Sequence, residues 1–108
     1  MAGKKHPPKK LRAGDFSALS VFLRGYLHQD FRAEYATPEA ALAAYCREAS
    51  RDEVGALARE WERFHDLTAK LPFAETQTFF CDSLGSAWQP QNRADLDAFR
   101  AILKNSAL

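Results

Sequence analysis

Long apolar runs are missing from this chain of 108 residues. No stretch approaches the roughly 20 consecutive apolar residues that a helix needs to cross a bilayer, and Met1 to Arg12 lacks the apolar region of a secretory signal. The chain is therefore expected in the cytoplasm, away from the membrane. Cysteine is scarce too. Cys46 and Cys81 are the two present, with no CxxC spacing and no accompanying histidine pair, which fits a reducing compartment better than a disulfide framework or a zinc site. There is no phosphate-cradling loop, no dinucleotide fingerprint and no nucleophile in a glycine-rich elbow. No catalytic residue, cofactor or metal ligand is assigned, and no enzymatic activity is expected. Repeats are absent.

What is present suffices for one core. Hydrophobic residues make up 46% of the chain and include eight Phe, three Tyr and two Trp. A domain this size buries about 65% of the surface its unfolded chain would expose. One domain is expected over residues 15–108, with a monomer favoured, after a basic tail over residues 1–14. Lys4, Lys5, Lys9, Lys10 and Arg12 give that tail five positive charges, while residues 13–108 hold ten Lys/Arg against fourteen Asp/Glu, a net −4. A basic tail can serve nucleic acid or an anionic surface. The plainer reading is a disordered, solubilising terminus broken at Pro7-Pro8.

The periodicity is helical. Asp15 reads as an N-cap before Phe16, Leu19, Phe22, Leu23, Tyr26 and Leu27, which predicts a first helix over about 16–28. Gly25 inside it marks a close backbone approach or an early end. Thr37-Pro38-Glu39 reads as N-cap, proline at the first helical position and a carboxylate near the positive end of the dipole, opening a second helix to about Ala49. Ser50 and Glu53 form a capping box for a third over 51–70, with Val54, Leu57, Trp61, Phe64, Thr68 and Leu71 on its apolar side. Pro72 ends it. Residues 73–84 fit either a strand or a helix, and helix is chosen because no second strand exists to pair with. Gly85 caps that segment ahead of a loop to Pro90. Asn92 opens a last helix carrying Leu96, Phe99, Ile102 and Leu103. The expected fold is all-α, a compact bundle of about five helices.

The densest polar cluster among aromatics is Tyr26-Leu27-His28-Gln29-Asp30-Phe31, with Tyr35 beyond it. His28 and Asp30 could be a base with its orienting carboxylate, or two ligands of a metal. Neither reading finds the partners it needs, since no activated nucleophile accompanies them and His65-Asp66 lies on another helix. The structural reading sets His28 at the negative end of the first helix and gives Asp30 and Tyr35 the turn that follows. A surface role for the same groups is the alternative. Trp61 and Trp88 read first as core or loop anchors, although an exposed Trp88 would suit a binding hot spot.

The run Leu23-Arg24-Gly25-Tyr26-Leu27-His28-Gln29-Asp30-Phe31, followed by Tyr35 and Thr37-Pro38-Glu39-Ala40, resembles the signature of bacterial contact-dependent growth inhibition immunity proteins. Phe31 and Leu27 stand where tryptophan and phenylalanine are usual. Leu84-Gly85, Trp88 and Pro90 before the last helix resemble the family's later pattern. The resemblance implies a cytoplasmic inhibitor that binds and neutralises the toxic C-terminal domain of a large secreted effector. It also implies that the shared motif residues Gly25, Tyr26, His28, Gln29, Asp30, Tyr35 and Pro38 serve folding, because toxins differ between systems. The acidic body would suit a basic partner. Glu60, Glu62 and Asp66, projecting from the third helix, and Trp88 in its loop are the candidate contact residues. The other readings are a small helical adaptor, or a nucleic-acid-binding accessory protein using the basic tail.

Overall fold

The computed structural model describes residues 11–107, which form helices and turns with no strand among them. A 3-10 turn, Ala13–Asp15, leads into α1 (Ser17–Tyr26), the short α2 (Phe31–Tyr35), α3 (Pro38–Glu48), α4 (Arg51–Thr68) and α5 (Phe73–Thr78). A π-helical turn, Phe79–Ser83, continues α5, and α6 (Arg93–Ser106) closes the fold. The all-α expectation holds, with one-turn α2 as an addition to the helices read from the sequence. No described helix is long and apolar enough to cross a membrane.

Local side-chain capping sets three of the six α-helix starts, those of α3, α4 and α6. The Thr37 hydroxyl accepts from the Ala40 amide at 3.1 Å, with Pro38 at the first helical position. Ser50 and Glu53 complete their reciprocal box at 3.1 and 2.8 Å, and the Asn92 side chain accepts from the Asp95 amide at 3.0 Å. Each satisfies backbone donors that the first turn leaves unpaired. The end of α4 and the turn after it are held from outside. One guanidinium nitrogen of Arg93 donates to the Thr68 and Leu71 carbonyls.

The entry into α1 differs from expectation. Asp15 does not cap α1: it closes the 3-10 turn, and its carboxylate lies 4.0 Å from Arg63. Ahead of Asp15, Leu11 is partly buried against the core. The rest of the expected tail, residues 1–10, lies outside the described residues.

The core is aromatic. Trp61 on α4 is buried and stacks on Phe99 of α6 at 5.5 Å, with Phe64 and Phe80 meeting it at steeper angles, both at 5.9 Å. Phe99 is stacked on its other side by Trp88. Around this stack α4 packs on α1 and α6, and α3 packs on α6, α1 and α2. Every buried side-chain nitrogen and oxygen among the described residues has a hydrogen-bond partner, as a single ordered packing requires.

Candidate functional site

The run Leu23–Phe31 folds as the end of α1 and the turn into α2. Leu23, Leu27 and Phe31 are buried, so the chain between them has to cross the surface in three residues. His28 holds that crossing. Its Nδ1 accepts from the Asp30 amide at 3.1 Å, and its Nε2 lies 3.0 Å from the Glu34 carboxylate. An Nδ1 that accepts leaves the proton on Nε2, where it donates to Glu34. Asp30 enters the turn through its main chain, while the residue is exposed and its side chain makes no capping bond to α2. Gln29 is exposed as well.

Tyr26 ties this end of α1 to α3. Its hydroxyl donates to Glu48 at 2.5 Å, and its ring stacks on Phe22 and Tyr35, each at 5.7 Å. The hydrogen bond to Glu48, aided by burial, pushes the Tyr26 phenol up to about 12. After Tyr35, Ala36 adopts φ 64° and ψ −48°, and the Thr37 amide donates back to the Tyr35 carbonyl at 2.6 Å. This is a three-residue γ-turn of the strained hand. It swings the chain so that Pro38 enters α3 buried. Gly25 is exposed, and a Cβ there would meet nothing within 4 Å. Of its two sequence readings, the early helix end agrees with α1 stopping at Tyr26.

The second motif docks on the first. The Ala87 amide donates to the Leu27 carbonyl at 2.8 Å, and the Ser20 hydroxyl donates to the Leu84 carbonyl at 3.0 Å while accepting from Arg24 Nε at 3.1 Å. Gly85 sits at φ +92°, under the Arg24 side chain. An open hollow of about 530 Å³ results. Arg24, Gln29 and Asp30 line it from the first motif, with Cys81, Ser86 and Ala87 opposite.

The other candidate contact residues are placed differently. Glu60 is turned to α1, whose Ala18 and Leu19 amides donate to its two carboxylate oxygens at 3.2 and 2.9 Å. Glu62 grips Arg100 of α6 through two bonds of 2.7 Å, and those bonds hold its carboxyl below the usual range. Arg100 also reaches His65 Nε2 at 3.3 Å. Trp88 is in the core, 9% exposed. Asp66 alone of the four is exposed, and it enters no ion pair among the described residues. Sequence reasoning missed the capping role of Glu60, because its targets lie more than 40 residues away and carry no local signature.

Chemically the site holds paired polar groups around a shallow surface. No three His, Cys, Asp or Glu side chains come together as a metal site among the described residues, and both cysteines are free thiols. No curated protein and no solved structure matches the chain. A family model described as CdiI immunity protein does match, over residues 15–104. That span takes in both motifs, α1 and nearly all of α6, and on it the chain belongs to the CdiI immunity proteins of contact-dependent growth inhibition.

Proposed function

We propose that this protein acts in the cytoplasm by binding the toxic C-terminal domain of its cognate effector, one to one, and blocking that domain without catalysing a reaction. Membership of the immunity family across residues 15–104 carries this reading. The polar chemistry supports it. His28 is engaged by Glu34 and a backbone amide, Tyr26 by Glu48, and Arg100 by Glu62. Groups paired in this way have their hydrogen bonds satisfied within the fold, and none is set against a serine or cysteine nucleophile. Inhibition then comes from surface complementarity.

The test is coexpression with the effector domain encoded immediately upstream, together with a pull-down of the purified pair. Growth rescue and a stable complex are expected. Failure of both means the chain does not neutralise that domain.

A further inference from the structure

The geometry points to the surface around the π-helical turn Phe79–Ser83 and the loop after it as the face that receives a basic segment of a partner protein. This rests on the toxin-binding reading above, which makes the toxin domain that partner. Two concavities flank this one piece of chain. The hollow of about 530 Å³ is lined by Cys81 and Gly85 to Ala87 together with the first motif. A second, of about 360 Å³, is lined by Ala74, Glu75, Thr78, Phe79 and Ser83.

The turn between them is wide. The Leu84 amide reaches back five residues to the Phe79 carbonyl at 3.0 Å, and the Ser86 amide reaches six, to Phe80, at 3.3 Å. Interruptions of this kind in an α-helix are frequent at functional sites. Small and apolar residues line the two hollows together with polar ones, a mixture that a protein interface can use.

Charge selects the partner. On α4 the carboxylates of Glu53, Glu60 and Glu62 are bonded to Ser50, to the start of α1 and to Arg100. Around the π turn, Asp30, Glu75 and Asp82 are exposed and enter no ion pair among the described residues. Asp30 and Glu75 are the carboxylates lining the hollows and Arg24 the one Arg or Lys there, and Asp82, exposed in the π turn between them, adds a third negative charge to the face. A surface with that excess steers and holds a Lys- or Arg-bearing loop and repels phosphate backbones. Gln29 supports the assignment: it sits exposed at the same hollow, with its amide available as both donor and acceptor.

The test compares the full chain, Asp30→Arg/Asp82→Arg, Asp30→Asn/Asp82→Asn, and Asp66→Lys on α4, each measured for melting and for association with the upstream effector domain at low salt. The expected result is roughly tenfold or more slower association for the arginine pair, a smaller loss for the asparagine pair, and little change for Asp66→Lys, since reversed rim charges act mainly on encounter. The asparagine pair carries the comparison if the arginine pair melts early. Association of either pair at the wild-type rate overturns the proposal, as does a loss confined to Asp66→Lys. If the free protein is a dimer that the arginine pair dissociates, a second copy occupies the face and the proposal falls. Failure of the wild-type chain to bind the domain at all is a different result, and removes the toxin reading beneath it.

Discussion

Arg24 lies across Gly85, so close that a Cβ on the glycine would stand 2.7 Å from the guanidinium carbon and 2.9 Å from Cγ. The contact joins the two sequence motifs, because the same arginine bonds Ser20 and Ser20 bonds the Leu84 carbonyl. Gly85 is needed twice over: for the space, and for its φ of +92°, which side chains rarely adopt. Gly85→Ala should lower stability by about 2 kcal/mol, combining the backbone penalty with displacement of Arg24. Denaturant unfolding of Gly85→Ala, Arg24→Ala and the double variant checks this. The double variant should cost less than the sum, since removing Arg24 frees the space but leaves the φ penalty.

Glu60 completes the start of α1 from a different helix. Both carboxylate oxygens accept first-turn amides that no neighbour in sequence caps. Glu60→Ala should therefore cost about 1–2 kcal/mol, the scale of a lost N-cap, and Glu60→Gln less, because one amide oxygen can still accept. Thermal melts of the two variants would decide. Equal melting of Glu60→Ala and wild type would mean that the cap contributes nothing.

The same comparison shows what was legible in the sequence. Thr37, Ser50 and Asn92 cap amides three residues away, so spacing alone reveals them, and the 3.6-residue period placed Trp61, Phe64 and Phe99 in the core. Asp15 carried the right residue type for a cap, yet the chain enters α1 through a 3-10 turn that takes its carboxylate elsewhere. Glu62 looked like a solvated carboxylate because its partner Arg100 is 38 positions on. Chemistry confined to one or two turns is written locally. Pairings between helices depend on packing angles that periodicity leaves open.

Glu62 gives the protein an acid-sensitive strap between α4 and α6. Its carboxyl lies below its ordinary value of 4.5 because Arg100 donates to it. A carboxyl depressed in the fold stabilises above its unfolded pKa, and that contribution fades as pH falls through the folded value. Melting temperatures of wild type and Glu62→Gln should differ at about pH 7 and converge in acid, as the pH falls through the depressed carboxyl value and the carboxylate takes up its proton. A constant difference across that range would show that the loss comes from packing and not from ionisation.

Trp88 sits in the loop yet is held in the core, and the stability data should follow the fold. From the sequence it reads first as a core or loop anchor, and as a binding hot spot only if exposed. Its ring instead lies flat on Phe99, 4.9 Å between centroids and 10° between planes, with Phe80 edge-on at 6.0 Å. Its carbonyl accepts from Ser86 Oγ at 2.7 Å, which fixes the loop around the buried ring. Removing the side chain leaves Phe99 stacked only against Trp61 and opens a cavity beneath the docked motif. Trp88→Ala should cost about 3–5 kcal/mol, a large share of the stability of a domain this size. Trp88→Phe keeps an aromatic face on Phe99 and should recover much of that loss. Toxin affinity of a folded Trp88→Phe protein should match wild type, because a buried ring has little surface to offer a partner. Wild-type melting combined with lost binding in that variant would instead place Trp88 in the interface.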